Sequence, residues 1–241
     1  MNQVIFTERD RRFLLKQGLR SPDQLEKIKE LYSQGMPLAY ILGKEEFFGY
    51  KFKVNPSVLI PRPETELLVE KALEIIEANK LNTVLDLCCG AGNIAIAVKK
   101  ESPGGIKVIA SDISLEALRV AKINAKKNKV KIDFIQSDLF TSLKGQFFDI
   151  IVSNPPYVED ENIRGSLDYE PRIALSGGAD GLAVIKKILE QAHLYLKDKG
   201  FLIMEIGYKQ KAAIVADKYE LIEWIKDYSG HFRGIILKKN G

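Results

Sequence analysis

The sequence predicts an α/β fold built on a doubly wound, mostly parallel sheet with an antiparallel C-terminal edge. From Glu64 onward, short apolar runs alternate with stretches of helical spacing, and this alternation is the pattern of successive βαβ units. The 241 residues, 46% of them hydrophobic, are enough to bury the core of one such domain with a small addition. Two final strand-like runs flank Gly230 and predict the antiparallel edge.

Residues 1–43 are predicted to form a small N-terminal helical domain, and residues 44–62 a β-hairpin and linker. Thr7 suits the N-cap of a first helix, while Ser21-Pro22-Asp23 opens a second one with proline at a favoured position. Aromatic residues around a glycine indicate the hairpin, and a proline-rich stretch indicates the linker. The main domain is then expected to cover residues 63–241.

In the main domain, apolar runs predict the strands and helical spacing predicts the helices. The strands are predicted at 83–87, 107–111, 131–136, 147–153, 201–206, 219–225 and 232–237. The helices are predicted at 64–79, after a glycine turn through 100, from Ser114 to 127, near 180–197 and near 208–218. In sheets of this kind, ligands bind beyond the carboxyl ends of the strands, so the residues at strand ends are the candidates for a site.

Composition and charge exclude several classes of protein. The 36 basic and 32 acidic residues give a net charge of +4, which is less than a protein that wraps nucleic acid usually carries. No apolar run reaches the roughly 18 residues of a membrane span, and the N-terminus shows no export signal. The two cysteines are adjacent, so neither a disulfide framework nor a metal site is expected. We therefore expect a cytoplasmic protein.

Three predicted strand ends carry an acid, and together they predict a nucleoside cofactor. The first runs into Asp86-Leu87-Cys88-Cys89-Gly90-Ala91-Gly92, whose glycines allow a tight turn and a close backbone approach. The second ends at Asp112, a carboxylate that can accept hydrogen bonds from both ribose hydroxyls. The third is followed by Ser137-Asp138-Leu139-Phe140, whose apolar side chains suit an adenine. Because the turn does not match the GxGxxG of dinucleotide sites, a cofactor with a cationic, phosphate-free end is favoured.

The fourth strand ends in Asn154-Pro155-Pro156-Tyr157, which predicts the reacting site. Two prolines fix the backbone and remove two N–H donors, so that carbonyl oxygens face outward. Together with the Asn154 side-chain oxygen, this segment can accept two hydrogen bonds from one planar –NH2 group, against which Tyr157 packs. The site suits an amide or an exocyclic base amine, and it works by positioning rather than through a strong base.

At these positions the sequence resembles class I S-adenosylmethionine-dependent amino-methyltransferases. The resemblance covers roughly residues 37–207, and it implies a Rossmann-like class I methyltransferase fold. It also implies methylation of the side-chain amide of the glutamine in a Gly-Gly-Gln motif, because three further strings are similar to the HemK/PrmC group, the glutamine methyltransferases of peptide chain release factors. These strings are Pro37-Leu-Ala-Tyr-Ile-Leu-Gly43, Ile60-Pro-Arg-Pro-Glu64-Thr-Glu66 and Tyr169-Glu-Pro-Arg-Ile-Ala-Leu175.

The resemblance also implies roles for the site residues. Residues 88–92 would line the methionine end of S-adenosyl-L-methionine, Asp112 the ribose and Leu139 the adenine, with S-adenosyl-L-homocysteine as the product. The partners would be release factors, met by a monomer whose N-terminal domain helps to hold them. The implied cofactor set also includes Asp86, Asp138 and Asn154. The implied glutamine site consists of Asn154, Pro155, Pro156 and Tyr157, with Arg62 and Glu64 closing over it.

Two features depart from this family, and three alternatives stay open. Family members usually carry glycine where Cys88 stands, and the N-terminal domain is short here. An adenine amine of a nucleic acid would meet the same acceptors, but the Lys-rich stretch at 122–131 is typical of a solvated helix face, so no stable nucleic-acid contact is expected. A ribosomal-protein glutamine is a second alternative. The third is an inactive binding module that keeps the fold.

Overall fold

The structure, a computed structural model, describes residues 6–8, 10, 14 and 22–240. Its strands are β1 (Lys44–Phe47), β2 (Tyr50–Lys53), β3 (Thr83–Leu87), β4 (Lys107–Asp112), β5 (Asp133–Gln136), β6 (Phe148–Ser153), β7 (Leu196–Glu205), β8 (Tyr219–Lys226) and β9 (Phe232–Lys239). Its helices are α1 (Pro22–Ser33), α2 (Leu38–Leu42), α3 (Glu66–Asn79), α4 (Asn93–Glu101), α5 (Leu115–Lys127), α6 (Arg172–Leu175) and α7 (Ala183–Gln191). Short 3-10 turns include Pro63–Thr65, Ala192–Leu194 and Gln210–Ala213.

Seven strands form one sheet in the order β5-β4-β3-β6-β7-β9-β8. The first five in this order run parallel, whereas β9 is antiparallel to both β7 and β8. The order reverses between β3 and β6, because the chain builds outward from β3 to β5 and then returns to the other side of β3. The predicted doubly wound sheet with an antiparallel C-terminal edge is confirmed, and the reversal marks the place where ligands bind in such sheets.

Helices cover both faces of the sheet, because alternate residues of each strand point to opposite sides. Val84 and Ile150 join one core cluster with side chains of α3, α4 and α5. Leu85 and Ile151, their neighbours along the strands, join a second cluster with side chains of α7. The apolar runs that predict the strands are therefore buried on both faces, as is usual for parallel sheets.

The predicted hairpin is confirmed as β1 and β2, and it packs on the first core cluster through the buried Phe47 and Phe52. Asn124 of α5 fastens it in place. Its Oδ1 accepts a hydrogen bond from the Lys53 N–H (2.6 Å), and its Nδ2 donates to the Lys53 carbonyl (3.0 Å). The same Nδ2 donates to the Ala91 carbonyl (3.0 Å), so one buried side chain ties the hairpin to the loop after β3.

Two features predicted for the N-terminal residues are present in the part of the chain that the structure describes, which also has the unpredicted helix α2. The Asp10 N–H donates to Thr7 Oγ1 (3.1 Å), which is the hydrogen bond of an N-cap. Most of the helix predicted to follow lies outside the described residues. The second predicted helix is α1, and it ends before Gly35, whose φ of +92° a glycine adopts without strain. None of the described helices has the length and apolarity that crossing a bilayer requires.

The helix predicted near 180–197 is shorter than expected. Helix α7 stops at Gln191, a 3-10 turn follows, and β7 begins at Leu196, five residues before its predicted start. The sheet determines this boundary, because the Tyr195 carbonyl accepts the Phe148 N–H (2.9 Å) and so draws the chain into register beside β6.

The prediction of a helix near 208–218 is wrong, since the structure has only the 3-10 turn Gln210–Ala213 there. Hydrogen bonds to distant segments outweigh the local helix propensity. The Gln210 side chain accepts the Gly207 N–H (2.8 Å) and donates to the carbonyls of Tyr157 (3.0 Å) and Gly181 (3.1 Å). The segment is thereby fixed as a connection across the end of the sheet.

Candidate active site

A cavity opens at the carboxyl ends of β3, β4 and β6, where the strand order reverses. Its wall is built from the loop after β3, the end of β4, the turn after β5 and the segment after β6. The structure thus brings together most of the residues that the sequence predicts for the site. The predicted residues that line the cavity are Arg62, Cys88, Cys89, Gly90, Ala91, Asp112, Asp138, Leu139, Asn154 and Pro156.

The other predicted residues do not line the cavity. Asp86 is completely buried, and its Oδ2 accepts the N–H of Ala95 (2.9 Å) in the first turn of α4. Asp86 therefore fixes the start of α4, behind the loop. The predicted residues that do not line the cavity are Glu64, Asp86, Gly92, Pro155 and Tyr157.

The loop after β3 depends on left-handed backbone conformations. Cys88, Gly90 and Gly92 have φ values of +63°, +52° and +77°. A Cβ on Gly92 would lie 3.1 Å from the Cβ of Ala121 on α5, which is tighter than ordinary van der Waals contact. The conformation of Cys88 is one that glycine adopts more readily, which accounts in backbone terms for the glycine usual at this position in the resembled family.

Two buried carboxyls hold this loop and the helix that follows it: Asp112 contacts the loop, and Asp86 contacts the start of α4. The Asp112 side chain accepts the N–H groups of Gly90 (2.8 Å) and Ser114 (2.9 Å), joining the loop to the start of α5. Burial raises the pKa of Asp112, and it raises the pKa of Asp86 to about 7. Asp86 Oδ1 is buried and has no hydrogen-bond partner, which favours the protonated form of this carboxyl at neutral pH.

Asn154 stands on the cavity wall with one end of its amide engaged. Its Nδ2 donates to Thr65 Oγ1 (3.0 Å), and the Thr65 hydroxyl donates to Glu205 Oε2 (2.6 Å). Among the described residues, none donates a hydrogen bond to Asn154 Oδ1. The carbonyl end of this side chain is therefore free to accept a hydrogen bond from a ligand.

Tyr157 turns from the cavity towards the same buried carboxylate. Its hydroxyl donates to Glu205 Oε1 (2.8 Å), and its carbonyl accepts from Gln210 Nε2 (3.0 Å). Burial and the negative charge of Glu205 raise the pKa of Tyr157, so its hydroxyl keeps its proton. The segment from Asn154 to Tyr157 is thus held at both ends by contacts with later parts of the chain.

Arg62 reaches the cavity from the segment before α3, where an ion pair holds it. Its Nη2 donates to Glu170 Oε1, and the Ile60 N–H donates to Glu170 Oε2 (3.0 Å). Glu170 is buried, so the ion pair and the backbone hydrogen bond together compensate its desolvation. Glu64 lies half-buried in the adjoining turn, and its charge acts on Glu205 rather than on the cavity wall.

Comparison with known proteins identifies the family. The family model described as "Methyltransferase small domain" matches residues 63–170. A release factor glutamine methyltransferase of Thermodesulfovibrio yellowstonii is 39% identical over 232 residues, which cover 90% of this chain and 83% of the relative. One of Streptococcus pneumoniae is 45% identical over 206 residues, 82% of this chain and 72% of the relative. The chain belongs to the release factor glutamine methyltransferase family.

The fold of this release factor glutamine methyltransferase family member is also found among solved structures. The crystal structure of a methyltransferase from Pyrococcus furiosus matches it with a TM-score of 0.60, over 81% of this chain and 91% of that chain, at 22% identity. The predicted Rossmann-like class I methyltransferase fold is confirmed. The names of the relatives favour the predicted release-factor activity over the nucleic-acid and ribosomal-protein alternatives.

Sequence reasoning does not identify three residues of this family member's site: Thr65, Glu170 and Glu205. Thr65 and Glu170 lie within the strings on which the family resemblance depends, so their presence there is a usable signal. Glu205 is the single acid in the apolar run FLIMEI at 201–206. Burying a charged residue at the end of a strand costs free energy unless hydrogen bonds compensate for it. An acid in an apolar run therefore indicates buried hydrogen-bond partners, and this pattern could have identified Glu205.

Proposed function

We propose that this chain transfers a methyl group from S-adenosyl-L-methionine to the side-chain amide nitrogen of the glutamine in the Gly-Gly-Gln motif of class 1 peptide chain release factors. Membership of the release factor glutamine methyltransferase family supports the reaction and the substrate. The observation in the structure that carries the proposal is the free carbonyl end of Asn154, which lies on the wall of the cavity.

The cavity fits the proposed cofactor. The Asp112 carboxylate on its wall can accept hydrogen bonds from ribose hydroxyls, and Asp138 adds a second acid that suits a cationic ligand. Ile113 is apolar yet 44% exposed, and it offers a surface that a purine would cover together with Leu139. The loop from Cys88 to Gly92 would approach the methionine end through its backbone.

The protein's own residues would orient the acceptor nitrogen. The glutamine –NH2 group would donate one hydrogen bond to Asn154 Oδ1 and one to the Pro155 carbonyl, which together fix the nitrogen and the direction of its lone pair. When bound, the cofactor supplies an electrophilic methyl carbon on a positively charged sulfur. The nitrogen held in this way would accept the methyl group, and the excess proton on that nitrogen would leave to water.

We also propose a function for each of the three segments of the chain. Residues 63–241 carry the transfer reaction, residues 44–62 form a hairpin and linker, and residues 1–43 contribute to docking of the release factor. The packing of the hairpin on the core, through Phe47 and Phe52, supports a fixed connection between the linker and the transfer domain. The protein is proposed to act as a cytoplasmic monomer without stable nucleic-acid contact.

The proposed function is tested by incubating the protein with methyl-labelled cofactor and a purified release factor. Label should enter the wild-type release factor and not a variant whose Gly-Gly-Gln glutamine is replaced. Asn154→Ala should lower turnover at least about 100-fold, since it removes one of the two acceptors that position the nitrogen. Asn79→Ala, at the exposed end of α3, is the matched control and should leave turnover unchanged.

Two results would contradict the proposal. Near-normal turnover by Asn154→Ala would remove this side chain from the reaction. Cofactor binding in calorimetry without label transfer to any release factor would favour the inactive binding module.

A further inference from the structure

Glu205 is a buried carboxylate that touches the reacting segment without lining the cavity. It is the last residue of β7 and is 1% exposed, as is Thr65, the residue that bridges it to Asn154. Three hydrogen bonds meet here: Asn154 Nδ2 to Thr65 Oγ1 (3.0 Å), the Thr65 hydroxyl to Glu205 Oε2 (2.6 Å), and the Tyr157 hydroxyl to Glu205 Oε1 (2.8 Å). Each carboxylate oxygen thus accepts a hydrogen bond from one hydroxyl.

The direction of these hydrogen bonds follows from the number of hydrogens that each group can donate. A threonine hydroxyl has a single hydrogen and can donate only once. Since Thr65 donates to the carboxylate, its oxygen can only accept from Asn154. The –NH2 end of the Asn154 amide must then face Thr65, and the carbonyl end must face away from it.

We propose that Glu205 is a positioning residue, whose ionised carboxylate fixes the direction of hydrogen bonding through Thr65 and so presents the carbonyl end of Asn154 to the substrate amide. The inference rests on the proposed function for the identity of that substrate. It adds a group that touches neither substrate nor cofactor but determines which atom of Asn154 meets them.

Protonation of Glu205 would reverse this arrangement. A carboxylic acid that donates to Thr65 Oγ1 leaves the Thr65 hydrogen to point at Asn154, and the amide must rotate to offer Oδ1 to it. The oxygen that the substrate needs is then occupied. A proton on Oε1 instead would take away the acceptor of the Tyr157 hydrogen, so Oε2 is the favoured position for the proton.

The surroundings of Glu205 place this reversal within a useful pH range. The pKa of Glu205 is raised to about 7, mainly by burial and also by the negative charge of Glu64 in the turn before α3. The Thr65 and Tyr157 hydroxyls and the positive charge of Arg233 on β9 lower it. Turnover should therefore rise as Glu205 ionises, with an acidic limb centred near pH 7.

The first experiment uses the full chain with labelled cofactor and a release factor. Glu205→Gln has the shape of the native side chain, but its amide can donate to Thr65. It should lower kcat about 10- to 100-fold, leave the cofactor Kd within about twofold, and abolish the acidic limb. Thr65→Ser, which keeps the hydroxyl, should retain at least about a third of kcat, while Thr65→Val should resemble Glu205→Gln. Glu220→Gln, an exposed glutamate of β8, is the matched control.

The second experiment does not depend on the substrate. The side-chain –NH2 signals of Asn154, assigned by their loss in Asn154→Ala, are followed by NMR between pH 5.5 and 8.5. They should shift with a midpoint near pH 7 in the wild type and stay constant in Glu205→Gln. Constant wild-type signals would overturn the inference even if release factors are methylated, whereas a normal shift without methylation would contradict the proposed function alone. A Glu205→Gln variant with wild-type kcat and an intact acidic limb would also overturn it.

Discussion

Gly90 and Gly92 lie two residues apart in the loop after β3, but they have different surroundings. Both have positive φ, whereas only Gly92 has a neighbour, Ala121 Cβ, within 3.1 Å of where its own Cβ would be. Gly92→Ala should therefore lower the free energy of unfolding by about 2–4 kcal/mol, combining backbone strain with a clash against α5. Gly90→Ala meets no atom within 4 Å and should cost only the strain, about 1 kcal/mol. Urea unfolding of both variants measures the difference, and equal losses would show that the contact with α5 is unimportant.

Single residues also show how far the sequence predicts the site. Asp112 and Asn154 could be predicted to lie on the cavity wall, because each follows an apolar run and strand ends of a parallel sheet meet at one edge. The bridge from Thr65 to Glu205 could not, since the two residues are 140 positions apart and neither marks the other locally. The assignments of individual roles to these residues stay predictions until the variants are measured.

At the scale of elements, α5 links the hairpin to the loop after β3 through the side chain of Asn124. Replacing this side chain by alanine leaves the Lys53 N–H and the Lys53 and Ala91 carbonyls without their partner. Asn124→Ala should lower the free energy of unfolding by about 2–4 kcal/mol and weaken cofactor binding, because the loop loses its support. Asn128→Ala, one turn further along at a half-exposed position, should cost less than about 1 kcal/mol. Similar losses in the two variants, measured by urea unfolding and calorimetry, would contradict this role.

The elements themselves were predictable where local patterns agree with the tertiary structure. Strands such as β3 and β6 are apolar runs that pair along their length, and α5 begins at the Ser114 cap, whose Oγ accepts the Ala117 N–H (3.2 Å). The segment 208–218 has helix-forming residues but no helix, because Gln210 hydrogen-bonds across to Tyr157 and Gly181. Such contacts between distant segments leave no periodic signal in the sequence.

For the whole molecule, two buried carboxyls make stability depend on pH. The pKa values of Asp86 and Glu205 are raised to about 7, chiefly by burial, above those of the unfolded chain. Between about pH 4 and pH 7 the folded state therefore binds more protons than the unfolded state, and these two groups lower stability as pH rises. Relative to the wild type, the Asp86→Asn, Glu205→Gln double variant should gain free energy of unfolding between pH 5 and pH 8.5.

The expected gain is of the order of 2–3 kcal/mol for each carboxyl, measured by urea unfolding across the pH range. The single variants separate the two contributions, and exposed Glu220→Gln serves as the control because its carboxyl has no buried state to lose. A double variant whose advantage does not grow with rising pH would show that these carboxyls ionise in the folded protein without cost. Turnover of the double variant should remain low, since Glu205→Gln alters Asn154, so stability and activity would move in opposite directions.

The position of β7 in the sheet has a consequence for biosynthesis. The ribosome produces Tyr157 well before Glu205, which follows 48 positions later, and β7 must pair with β6 before the two side chains meet. Asn154 therefore gains its link through Thr65 to Glu205 only after β7, in the final third of the chain, has been synthesised.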